Sequence, residues 1–183
     1  MFIASQKRKE NYAEYVLYMW HIENIIRACN LDIEKIKTVM IDKFDLDDEK
    51  KKQMIEWYES LIDMMKRENV VENGHIQIVK NSITALADLH HKLLQDPHFA
   101  EYGAEFYKTL PFIVELRSKA GDKAVGEIET CFTALYGILV LKMQGKEITP
   151  QTSAAISHIS EFIALLSHYY KLDQEDKLFK DQD

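Results

Sequence analysis

Turn chemistry is scarce in this chain: six glycines and three prolines are all that its 183 residues contain. A sheet protein built from short strands needs frequent turns, and turns draw heavily on these two residue types. Helices need them only at their ends. Apolar residues recur at spacings of three and four almost from end to end, the pattern of a helix with one buried face. The sequence therefore predicts an all-α, single-domain helical bundle of about seven helices. One core is enough, because a chain of this size buries roughly 70% of its unfolded surface while two halves would each be marginal.

Stop signals divide the pattern. A first helix is predicted over about 7–29, with Tyr12, Tyr15, Val16, Met19, Ile22 and Ile26 along one face, and a second over about 32–43. Asp45, as an N-cap accepting from the Asp48 N–H, opens a third that runs to about Glu68. Asn73-Gly74 marks a turn, and the fourth helix follows over about 75–95, with Val79, Ile83, Leu86, His90 and Leu93 on its stripe. Asp96-Pro97 joins a cap to a proline at the first helical position. The fifth helix contains Pro111, which predicts a kink there or a restart capped by Thr109, and Gly121 is placed as its αL terminator. The sixth, over about 122–144, is the most apolar and is expected to lie centrally, with Gly137 marking a tight helix crossing. Thr149-Pro150 starts the seventh. The helical domain is assigned to residues 1–171, and residues 172–183 to a charged, frayed tail. Short connections favour antiparallel neighbours.

Charge and composition then exclude whole classes of function. The net charge is −7, and the basic runs Lys7-Arg8-Lys9 and Lys50-Lys51-Lys52 are each flanked by acids, so no nucleic-acid surface is expected. The longest strongly apolar run, 134–141, is far short of the ~18 residues that suggest a membrane span. Cys29 and Cys131 show no metal spacing and read as reduced packing residues. The N-terminal apolar run is too short for a signal peptide, and a cytoplasmic location is the expectation. No phosphate loop, dinucleotide fingerprint or nucleophile elbow occurs. Glu72-x-x-His75 and Asp88-x-x-His91 are the nearest approach to a di-iron pattern, but the first spans a turn and the second stands alone. No cofactor and no metal are therefore assigned.

A few polar residues remain as site candidates. His90 falls near the centre of an apolar stripe and should face inward. Such a histidine is commonly a neutral packing residue satisfied by a neighbour, or else a ligand or acid–base group whose pKa burial and a carboxylate would tune. Arg117 falls in phase with Tyr102, Phe106 and Ile113, with Glu115 on a different face. Together His75, Asp88, His90, Glu115 and Arg117 are the candidate polar lining of a ligand pocket, with His90 as acid–base or ligand group and Arg117 as anion anchor. Glu23 and Arg27 stand four residues apart on one helix and are assigned as a structural ion pair.

Several stretches resemble a known family. They are Met1-Phe2-Ile3-Ala4, Gln6-Lys7-Arg8-Lys9-Glu10-Asn11, Ala13-Glu14-Tyr15, Leu17-Tyr18-Met19-Trp20 and Gly74-His75-Ile76-Gln77, with Thr109 to Arg117 and Ile128-Glu129-Thr130-Cys131-Phe132 further on. They are similar to an uncharacterised bacterial all-helical family known only as a domain of unknown function, over residue 1 to about Lys171. The resemblance implies a bacterial, cytoplasmic helical protein and carries over no activity, cofactor or site residue.

Two functional expectations follow. The first is a non-enzymatic helical domain acting through protein contacts, as a homodimer or with another protein, because Tyr12, Tyr15, Tyr18 and Trp20 crowd the first helix and aromatic residues anchor interfaces. Core packing is the plainer reading of the same aromatics. The second is an enzyme or small-ligand binder with a polar pocket between helices around His90.

Overall fold

A computed structural model describes residues 1–178. Among them are eight α-helices: α1 (Phe2–Glu10), α2 (Tyr12–Ala28), α3 (Ile33–Val39), α4 (Asp48–Arg67), α5 (Gln77–Gln95), α6 (Ala100–Ala120), α7 (Glu127–Met143) and α8 (Pro150–Gln174), and the described residues contain no strand. The fold is all-α, as the periodicity requires.

The additional helix arises at Asn11, which splits the expected first helix. Asn11 is extended (φ −149°, ψ 104°), and its side chain accepts from the Glu14 N–H at 3.1 Å, capping α2 as a short polar side chain does. Ser167 on α8 holds the break, accepting from the Ala13 N–H at 3.1 Å and donating to Asn11 Oδ1 at 3.0 Å. Elsewhere the boundaries shift for local reasons. Asp47 rather than Asp45 caps α4, taking the Lys50 N–H at 2.8 Å. The expected second helix ends early, and a 3-10 turn at Ile41–Lys43 takes up its last residues. Pro97–Phe99 form another 3-10 turn leading into α6, with Asp96 accepting from the His98 N–H.

Pro111 neither ends nor restarts α6, which continues through it to Ala120. The helix is held there by Phe106, Thr109 and Ile113, all buried, while Pro111 itself faces outward. Gly121 does terminate α6 with positive φ, but its ψ of −127° is not αL, and it opens a 3-10 turn that delays α7 to Glu127.

The central helix is α2, not the more apolar α7. Nine of its residues are buried, among them Val16, Ile22 and Ile26, and it packs on α1, α4, α5, α7 and α8. Helix α7 packs on α2, α5, α6 and α8, but Leu139 and Met143 towards its end are 38% and 62% exposed. A Cβ added at Gly137 would meet no atom within 4 Å, so the tight crossing expected there does not exist. The aromatics of the first expected helix are largely core: Tyr12, Tyr15 and Trp20 are buried, and the Tyr12 hydroxyl donates to Ser82 Oγ at 3.1 Å. Of the tail expected over 172–183, α8 takes the residues to Gln174 and Leu178 packs against the core, while 179–183 lie outside the described residues.

Candidate functional site

Two polar clusters reach the interior, and they are built differently. In the first, α2 grips the turn between α4 and α5. Glu23 is fully buried, and its carboxylate accepts from the Ile76 N–H at 2.8 Å through one oxygen and meets His75 Nδ1 at 2.5 Å through the other. His75 stacks flat on Trp20, ring centres 4.2 Å apart. One turn along α2, Arg27 donates to the carbonyls of Val70 and Gly74 and to the Asn24 side chain. Glu23 and Arg27 thus do not pair with each other. Each reaches past its neighbour to a backbone group of the 70–76 turn, whose orphan N–H and carbonyls are the stronger demand in a buried setting. The Glu68 carboxylate completes the turn by accepting from the Gln77 N–H at 2.5 Å, substituting for the cap that Ile76 cannot supply.

The second cluster lies where α5, α6 and the start of α7 meet. His90 is 1% exposed among Tyr102, Phe106 and Phe162. Its Nδ1 is 2.7 Å from the Tyr102 hydroxyl, and its Nε2 is 3.6 Å from Glu127 Oε2. The carboxylate favours the proton on Nε2, so the Tyr102 O–H donates to Nδ1. Arg117 approaches the same carboxylate from α6, its guanidinium 3.9 Å from Glu127 Oε1. Both separations exceed hydrogen-bonding range. His90 Nε2 and Arg117 Nε are both buried without a hydrogen-bond partner. The two residues line one cleft of about 450 Å³, together with Glu127, His91, Thr84 and Glu129. Burial holds His90 below the ordinary histidine pKa and so keeps it neutral, against the opposing pull of Glu127 and with a smaller push from His91.

Of the five expected pocket residues, His90 and Arg117 come together. His75 belongs to the turn clamp. Asp88 is exposed on the outer face of α5. Glu115 is exposed and pairs with Lys119 at 2.6 Å, beside a different groove between α6 and α8. A cleft of about 540 Å³ between α1 and the end of α8 is larger, but it is lined by Arg8, Lys9, Glu10, Lys171 and Glu175, solvated charges rather than buried orphans.

The family model described as a domain of unknown function (DUF4924) matches residues 1–177. The chain belongs to this family. The DUF4924 match runs past residue 171, where the sequence resemblance was placed to end. No curated protein and no solved structure matches the chain. For this DUF4924 chain, then, chemistry has to be read from geometry.

Sequence reasoning missed two partners of His90, Glu127 in the cleft and the buried Tyr102 behind it. Glu127 carried a readable sign: it opens a helix whose N-cap, Gly126, has no side chain, and an acid in the first turn suits the helix dipole. It was hidden because α7 was expected to start five residues earlier. Tyr102 was recognised as inward but not as the partner of His90, since the α5–α6 turn sets that pairing. His90 and Glu127 supply one nitrogen and one carboxylate, fewer than the three protein ligands of a catalytic zinc. Cys131, behind the cleft, is fully buried, and burial pushes its thiol up to about 12, so it is no nucleophile. Among the described residues no single helix is long and apolar enough to cross a membrane.

Proposed function

We propose that this domain binds a small polar molecule in the α5–α6–α7 cleft. The observation that carries the reading is the pair of buried, unpartnered donors on His90 and Arg117, set around a Glu127 carboxylate that neither bonds. Orphaned donors of this kind cost about 1–3 kcal/mol each, which a bound group recovers. A ligand hydroxyl or amide suits the gap, accepting from His90 Nε2–H or Arg117 while donating to Glu127. Thermal-shift screening of small carboxylates, polyols and amides against the full chain tests it, followed by amide-resolved NMR with any hit. Shifts centred on residues 83–91, 117 and 126–129, lost in Arg117→Met, are the expected result. Hits that perturb only other faces, or no hit at all, defeat the reading.

A second reading is contact with another protein, as a homodimer or hetero-complex, supported by Leu139 and Met143, which are exposed one turn apart on α7. Sedimentation at micromolar concentration, wild type against Met143→Glu, tests it: a strict monomer in both that also recruits no partner counts against it. A cytoplasmic location fits either reading, with Cys29 and Cys131 both free and buried.

A further inference from the structure

On α8, His158 and Glu161 stand three residues apart and share a face of the helix. Glu105 meets them from α6. One ligand atom from each of the three lies within 4.8 Å of the other two. The helices that carry them are tied at this level: the Thr109 hydroxyl is 3.0 Å from the Glu105 carbonyl and 3.4 Å from the His158 carbonyl. The His158 ring lies nearly parallel to Phe112, 15° between planes and 5.2 Å between centres, which fixes its orientation.

A second observation is independent of the spacing. His158 Nδ1 is shut off from solvent and has no hydrogen-bond partner. An imidazole that only packed between two helices would ordinarily direct such a nitrogen to a carbonyl or hydroxyl. Nor are the two carboxylates fully committed. Glu105 Oε2 takes Lys108 at 3.1 Å and Glu161 Oε1 takes the Ser157 hydroxyl at 3.0 Å, one oxygen each. Lys108 is 64% exposed, and a pair of that kind is too weak to keep a carboxylate from a divalent cation.

We propose that Glu105, His158 and Glu161 form a binding site for a divalent transition-metal ion, separate from the His90 cleft. One imidazole and two carboxylates are an N/O donor set suited to zinc, manganese or iron rather than to calcium, which takes oxygen alone. Three protein ligands leave coordination positions for water on the exposed side of Glu161. That exposed side chain also has the freedom to close the distance to the roughly 2.0–2.2 Å at which zinc holds nitrogen and oxygen. The di-iron pattern is Glu-x-x-His on paired helices. Here the order on α8 is reversed, and the third ligand comes from α6, so that pattern passed over it.

Calorimetric titration of the full chain with zinc chloride and with manganese chloride tests the site. Wild type is expected to bind one ion tightly, with a rise in Tm, and Glu161→Gln, whose position is exposed, is expected to fold normally and bind at least tenfold more weakly. Glu105→Gln should behave likewise, and His158→Ala should abolish the site. Absence of binding at micromolar metal overturns the proposal. So does binding that survives unchanged in Glu161→Gln and Glu105→Gln, which would place the ion on other histidines such as exposed His98.

Discussion

The turn clamp and the His90 cleft each combine a histidine, a glutamate and an arginine, yet they differ in what those groups touch. At the clamp both Glu23 oxygens and both terminal nitrogens of Arg27 are committed, mostly to the backbone of a single turn. At the cleft Glu127 lies between His90 and Arg117 and bonds neither. The clamp is not free of orphans, since Trp20 Nε1 and Arg27 Nε lack partners as well. An unpaired buried atom is therefore not enough to mark a site. What distinguishes the cleft is that its unpaired donors belong to residues lining open volume, whereas the clamp's charges are spent on holding chain.

This contrast predicts unequal costs. The largest belongs to Glu23→Ala, which leaves the buried Ile76 N–H and His75 without their acceptor; about 3 kcal/mol of stability should be lost, read by urea denaturation. Glu23→Gln, which keeps an acceptor for Ile76, should lose less. Arg27→Met comes next at about 2 kcal/mol, for two carbonyls released. Proteolysis should then cut the 69–76 segment first.

His90→Leu should cost only about 1–2 kcal/mol, chiefly because the buried Tyr102 hydroxyl loses its partner. The double variant with Tyr102→Phe should cost less than the single, since both polar partners are then gone. If His90→Leu proves as damaging as Glu23→Ala, the cleft is a second clamp and the comparison breaks. A pH series sharpens the same point. The folded pKa of His90 lies below its unfolded value of about 6.5, so the unfolded chain binds the extra proton first. Stability from this group is whole above that value and falls as the pH drops through it towards the folded pKa. His90→Leu should therefore flatten the stability profile on the acid side of pH 7. His21, shifted the same way by burial, leaves a residual slope in both proteins.

The smallest effect is a gain. Gly137→Ala fills no occupied space in mid-helix and should stabilise the monomer by about 0.5–1 kcal/mol. A loss instead would show that something packs closely on that face of α7.

The helical class, most of the stripes and the inward direction of His90 were legible because each depends on residues three or four apart. Boundaries were less so. Asn11 was not recognised as a cap because the residue that makes its break worthwhile, Ser167, lies on the last helix. The choice of Asp47 over Asp45 turned on which acid could reach an N–H three residues on. Apolar content misled in α7, since Leu139 and Met143 satisfy a helix pattern without being covered. The ion pair assigned to Glu23 and Arg27 failed for a related reason: i,i+4 spacing permits a bond, but a distant turn with unsatisfied backbone outcompeted it. Tertiary pairings such as Glu127 with His90 have no local pattern at all.

The bonds at Ser167 bear on the order in which this chain can assemble. Asn11 and Ala13 are made more than 150 positions before their partner on α8. Until then the junction of α1 and α2 lacks the hydroxyl that braces it, and the flank of α2 that meets α8 stays uncovered. A nascent chain should therefore hold its N-terminal helices in a provisional arrangement throughout translation, with protection against a pulse of protease at that junction arriving abruptly once α8 clears the exit tunnel.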